Sequence, residues 1–348
     1  MGKRKCRIRK PRVQRKTTAP APAASSSAPP PPPWIELPGD VTANIMQRLG
    51  AEGMLMSAQQ VCRTWWKVCK DPAMWRVIDL RNPYYVEETE KYTAMCRRAV
   101  DRSQGQLVDL TIDSFGDGEL INYVADRSRN LKRLKLVACN EMSGGPLIQS
   151  VGKFEQLEEL HLAMIPWTPP YRIEDIGNSC PKLKSFSYNN RGSRWQLPPD
   201  LEDDDDDIIE GLDRNSYAEA IGKCMPNLHH LQLFANEMRN EGLEAILEGC
   251  PCLESLDIRQ CFGLNLGGDL GKRCREQVKD LRLPNDSVSD ISWLVGEPSE
   301  LDHDCYGNYD DYNYYEDIDY EYYDDYSSPR GYGSFNNDCL GIFDRDYF

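Results

Sequence analysis

Apolar residues recur through the middle of this chain at a spacing that no single helix or strand accounts for. A unit of Leu, two residues, Leu, one residue, Leu opens at Leu107-Leu110-Ile112 and Leu131-Leu134-Leu136. It returns at Leu157-Leu160-Leu162, Leu183-Phe186-Tyr188, Leu228-Leu231-Leu233, Leu253-Leu256-Ile258 and Val278-Leu281-Leu283. Successive starts lie 24, 26, 26, 45, 25 and 25 residues apart. The second and third apolar positions are two apart, so on a strand both point into the core. Stretches between them, such as Leu243, Ile246 and Leu247, have helical spacing and cover the far side of that core. One unit alone cannot bury its apolar face, whereas stacked units share a continuous core with parallel strands along a concave wall. The pattern predicts an α/β chain with an open solenoid of about seven strand-helix units over 105–287. The long interval marks an insertion at 189–215, which carries Trp195 and the run Asp203 to Asp207.

Residues 34–80 are patterned differently. Asp40 is placed to cap a helix whose apolar positions are Val41, Ile45 and Leu49. Leu55, Ala58, Val61, Cys62, Trp65 and Val68 serve two further short helices, and Pro38 and Pro72 punctuate the ends. So many large apolar groups exceed what a bundle of this size can bury, so a partner is expected to cover the remainder. Residues 81–104 hold a linking helix with Tyr92, Met95, Cys96, Ala99 and Val100 on one stripe.

Charge changes the picture at both ends. The 348 residues carry 41 Lys and Arg against 56 Asp and Glu, a formal charge of −15. Residues 1–16 hold nine basic residues and no acid, the composition of a nuclear-import signal or a solvated tail. Ala19 to Pro33 is Ala, Ser and Pro only, which reads as an extended spacer. Residues 288–348 are acidic and rich in tyrosine, with too few aliphatic residues for a core. Disordered tails at 1–33 and 288–348 are therefore expected. Nucleic acid is an unlikely partner for such a polyanion, because phosphate contacts need clustered Lys and Arg. No apolar run reaches the length of a membrane span or a secretory signal, so the nucleus, the cytoplasm or both are the expected locations.

Catalytic chemistry has little to stand on. The histidines are His161, His229, His230 and His303, and no nucleophile motif accompanies them. The acids of the insertion lack the interrupting neutral residues of a calcium loop. Cys250, Cys252, Cys261 and Cys274 lack the paired CxxC knuckles of a zinc site. No cofactor, no metal and no catalytic residue is expected. Cys180, Cys224 and Cys250 end helices, while Cys139 and Cys261 each follow a third apolar position by three residues. This placement resembles the cysteine-containing class of leucine-rich repeats.

The N-terminal segment resembles a second family. Leu37-Pro38, Ile45, Leu49, Val61-Cys62, Trp65 and the closing DPAMW around Trp75 are similar to the F-box. The stretches CRRAVDRSQGQLVDL, NEGLEAILEGCPCLESLDIRQC and GDLGKRC look like the plant Skp-interacting-partner group of F-box/leucine-rich-repeat proteins. The resemblance implies a short three-helix F-box docked on a Skp-type adaptor, and through it on a cullin-RING ubiquitin ligase. It also implies that Leu37, Pro38, Ile45, Leu49, Val61, Cys62 and Trp65 face the adaptor. A protein client, unidentified, would lie on outward positions of the concave wall: Arg133, Lys135, Glu159, His161, His230, Gln232, Asp257 and Arg282. The alternatives are a repeat scaffold unconnected with ubiquitination, or a small-molecule receptor, for which an open arc encloses little volume.

Overall fold

The computed structural model describes residues 34, 37–83, 88–142, 144–166, 168–189 and 214–291. The basic arm, the proline spacer, nearly all of the acidic insertion, His303 and the tyrosine-rich tail lie outside the described residues. The chain divides into Met1–Leu37 and Pro38–Phe348, and the architecture below is that of the second unit.

Helix α1 spans Gly39–Met56 and bends at Gly50, whose φ of 71° is open to glycine at no steric cost. Pro38, in extended conformation, precedes it, and Asp40 lies in its first turn with no side-chain cap bond to the helix start. The capping role expected of Asp40 is therefore not met: the backbone of Thr42 bonds the Pro38 carbonyl at 3.0 Å, and its Oγ1 donates to the same oxygen at 3.1 Å. A 3-10 turn at Ala58–Gln60, helix α2 (Arg63–Cys69) and a second 3-10 turn at Pro72–Trp75 follow.

Strands then alternate with helices. They are β1 (Val77–Arg81), α3 (Thr89–Ser103), β2 (Asp109–Asp113), α4 (Gly118–Arg127), β3 (Arg133–Val137), α5 (Gly144–Val151) and β4 (Glu159–Ala163). The series continues with α6 (Pro170–Ser179), β5 (Ser185–Asn189), α7 (Ser216–Cys224) and β6 (His230–Gln232). It closes with α8 (Asn240–Gly249), β7 (Ser255–Asp257), α9 (Asp269–Gln277) and β8 (Asp280–Arg282). The eight strands form one parallel sheet in sequence order.

The sheet has one strand more than the seven repeats predicted. Strand β1 pairs in register with β2, Ile78 opposite Leu110 and Leu80 opposite Ile112. Trp75, Ile78 and Leu80 repeat the spacing of Leu107, Leu110 and Ile112 with tryptophan in the first place, and all three are buried. A search for leucine passes over them. The expected boundary at residue 80 thus falls inside a strand, and α3 is the first helix of the solenoid as much as a linker. All five residues of its predicted apolar stripe are buried.

Five of the repeats close with the same backbone device. Ser114, Ala138, Met164, Ala235 and Gln260 all have positive φ, and each stands two residues beyond a third apolar position. One residue later comes Cys139 or Cys261, whose Sγ donates to the Val137 carbonyl at 3.3 Å and the Leu233 carbonyl at 2.9 Å respectively. Cys250 donates likewise to the Met225 carbonyl at 3.4 Å. Burial pushes these three thiols up to about 12, so they stay protonated and unreactive at neutral pH. The cysteines serve the turns.

Candidate functional site

The exposed surface of the N-terminal helices follows from how α1 is rotated. Thr42 and Met46 lie on its buried side, followed after the bend by Ala51, Met54 and Leu55. The neighbouring stripe at i, i+4 and i+8, about 100° round the helix, is also apolar, with Val41 42% exposed, Ile45 36% and Leu49 47%. Val61, just before α2, is 47% exposed and Trp66 42%. A stripe that resembles a helix core on paper is therefore the outward one, and Met46 faces in.

The other expected adaptor contacts are distributed unevenly. Leu37 is the last residue of the N-terminal unit, and Pro38 is exposed. Cys62 is the N-cap residue of α2 and is half-buried. Trp65 is half-buried against the core, and its Nε1 has no acceptor among the described residues. Trp75 is wholly internal: its Nε1 donates to the Cys69 carbonyl at 2.9 Å, and the Arg102 guanidinium lies 5.3 Å from the ring. Val41 and Trp66, which the motif resemblance does not single out, also face outward. Two adjacent tryptophans on a short helix diverge by about 100°, so one of the pair had to point outward.

The concave wall brings the expected client residues into two rows. Register places Asp109, Arg133, Glu159, Ser185, His230, Ser255 and Asp280 side by side. The second row runs Thr111, Lys135, His161, Ser187, Gln232, Asp257 and Arg282. Arg133 is held by Asp109 at 2.8 Å. His161 shares a 2.8 Å hydrogen bond with the Ser187 hydroxyl, and burial and then neighbouring Lys135 push its pKa down, favouring the neutral ring. His230 is exposed, and Lys135 has no ion pair among the described residues.

From Asn189 onward the second row satisfies itself. Asn189 Nδ2 donates to Gln232 Oε1 at 3.0 Å, and Gln232 Nε2 donates to the Asp257 carboxylate at 2.9 Å. Arg259 grips that same carboxylate through Nε at 2.9 Å and Nη2 at 2.7 Å. Its Nη1 donates to the Ser287 carbonyl at 2.6 Å and to Asp290, which also pairs with Arg282. Asp257 is therefore buried, contrary to its reading as an outward contact. The physical reason is Arg259, two residues on and so on the same face of the chain, which needs a counter-charge to be buried at all. Of the expected client residues, Lys135, Glu159 and His230 are the ones left most available.

These surfaces sit in a chain whose likeness to known proteins covers both parts. Residues 34–81 match the F-box-like family. F-box/LRR-repeat protein 23 of Arabidopsis thaliana is 46% identical over 256 residues, which is 73% of this chain and 54% of that protein. The chain thus spans about half the length of that relative. F-box protein SKIP19 of the same plant is 41% identical over 299 residues, covering 84% of this chain and 92% of that one. Among solved structures, the tropomodulin C-terminal domain of Caenorhabditis elegans aligns with a TM-score of 0.31 at 13% identity, over 46% of this chain and 92% of that domain. With an F-box-like segment running into a parallel repeat sheet, and with relatives aligned across both, the chain belongs to the plant F-box/leucine-rich-repeat family.

Proposed function

We propose that this chain is the substrate-recognition subunit of a Skp–cullin–F-box ubiquitin ligase, acting without catalysis of its own in the nucleus, the cytoplasm or both. The observation that carries the reading is the outward apolar set Val41, Ile45, Leu49, Val61 and Trp66, inside the segment that matches the F-box-like family. Apolar side chains of that number on so small an area favour a protein partner that removes them from water. A Skp-type adaptor docked there would leave the repeat wall open to a client. The chain would then act by proximity, raising the concentration of a client lysine near a ubiquitin-charged enzyme brought by other subunits.

Co-purification with a Skp-type adaptor tests the reading. Ile45→Glu with Val61→Glu places two charges in the proposed interface without touching the core, because both side chains are already exposed. Capture should fall by roughly a thousandfold, since two central interface anchors contribute about 2 kcal/mol each and about 1.4 kcal/mol is tenfold. Leu37→Ala with Pro38→Ala should have the same effect while the repeats stay folded. Full capture by either double variant, with circular dichroism unchanged, contradicts the reading and leaves a binding scaffold outside ubiquitination. On the client side, Arg133→Glu with Lys135→Glu should alter client capture and spare the adaptor. If it alters neither, the wall is not the client surface.

A further inference from the structure

A groove of about 870 Å³ opens where the second half of α1 meets β1, at the first strand of the sheet. Leu49, Ala51, Met54 and Val77 give it apolar lining, and four arginines stand around it. Two of these are already engaged: Arg81 pairs with Asp79 at 3.0 Å, and Arg133 with Asp109 at 2.8 Å. The groove's other acid, Glu52, accepts a hydrogen bond from Tyr92 Oη at 3.1 Å. Arg48 and Arg76 are exposed and make no ion pair among the described residues. Two uncompensated guanidinium groups beside an apolar floor select for a ligand that is both anionic and aromatic. Carboxylates take the forked N–H groups, and rings take the guanidinium faces and the floor.

The chain carries one segment of that chemistry. Tyr306 to Tyr326 holds nine tyrosines and eight acids, with no Lys or Arg. Pairing of this kind already operates in the fold, where the Arg127 guanidinium lies 3.6 Å from the centre of the Tyr123 ring. Reach is sufficient. Seven inter-strand steps of about 4.8 Å separate β8 from β1, roughly 34 Å along the sheet. The fourteen residues between Ile291 and Tyr306 extend to about 50 Å. A tethered segment is present at an effective concentration of about a millimolar, so even weak affinity fills the site.

We propose that the groove between α1 and β1 is a docking site for the chain's own acidic, tyrosine-rich segment Tyr306–Tyr326. Docked there, the segment covers Leu49 of the outward stripe and Arg133 of the wall, and competes with whatever either surface binds. The proposal stands apart from the adaptor reading, because its test needs no partner.

In the full chain, Tyr315 is replaced by the photo-cross-linking residue p-benzoylphenylalanine, and the products of irradiation are mapped by mass spectrometry. The expected links fall within residues 47–54 and 73–81, with a yield independent of protein concentration. That yield should drop about tenfold in R48E/R76E, the loss of two exposed charge contacts and their replacement by repulsion. A similar drop is expected when the eight acids of the segment are changed to amides, a change that leaves the folded core untouched. Links concentrated elsewhere on the sheet, links that join two copies, or yields indifferent to both variants would each overturn the proposal.

Discussion

Arg259 is 2% exposed, yet it carries a full charge and every guanidinium nitrogen has a partner. It is the pin that fastens residues 287–291 over the last repeats. Removing it strands Asp257, so Arg259→Ala should cost about 3–5 kcal/mol in denaturant unfolding. Loss under about 1 kcal/mol would show that the pair is dispensable. Its hydrogen bond, seconded by that of Arg282, also holds the Asp290 carboxyl down to about 2. A carboxyl depressed in the folded state stabilises above its ordinary value of about 4. That contribution disappears as pH falls from about 4 through about 2. The hydrogen-exchange protection factor at the Ile291 amide, which bonds the Val288 carbonyl at 3.0 Å, should fall over that window in the wild type and show no such step in Asp290→Asn. Alternation along a strand placed Asp257 on the correct face. It could not say that Arg259, on the same face, had already claimed it.

At the scale of elements, helices α6, α7 and α8 approach through glycine. A Cβ on Gly249 would stand 2.0 Å from the Gly222 carbonyl oxygen, and one on Gly222 would stand 2.4 Å from the Ala245 oxygen. Backbone cannot yield as a side-chain tip can, so Gly249→Ala should destabilise by about 2–3 kcal/mol, measured by thermal unfolding. A neutral result would mean that the helices can separate freely. Neighbouring repeats also finish one another's elements. Arg239, the N-cap residue of α8, has no side-chain cap, and Asn215 from the preceding repeat supplies it, accepting from Arg239 N at 2.9 Å and Gly242 N at 3.2 Å. Just before the strands, Lys132, Glu158 and Lys184 alternate in sign, joined at 2.8 and 3.2 Å. Repeat periodicity announces that these positions line up. It does not announce which residue of one repeat completes the next.

At the scale of the molecule, a single buried cluster runs from Met46 to Val278, so the F-box helices and the repeats share one core. Strand β1 is the joint, closing the F-box segment and opening the sheet. Hydrogen-exchange protection in α2 should therefore rise and fall with that of β2 and β3. At the other end, β6 to β8 are only three residues long and Leu281 is half-exposed, so protection should decline toward β8, as nearest-neighbour stacking requires. An F-box segment that opens well before β2, or a β8 as protected as β3, would contradict this picture.

The repeat architecture, the parallel strands and the buried stripe of α3 were written in local spacing, while the kinship with F-box proteins rested on a resemblance of motifs. Side-chain direction along a strand or helix is a matter of backbone geometry, so a period in the sequence becomes a face in the fold. Tertiary structure alone decided which apolar face of α1 met water, that Trp75 opened an eighth repeat, and which wall charges remained available. Those outcomes depend on which particular partners packing supplies, from two residues to a repeat or more away, and a burial pattern records only that a residue has neighbours, not which ones.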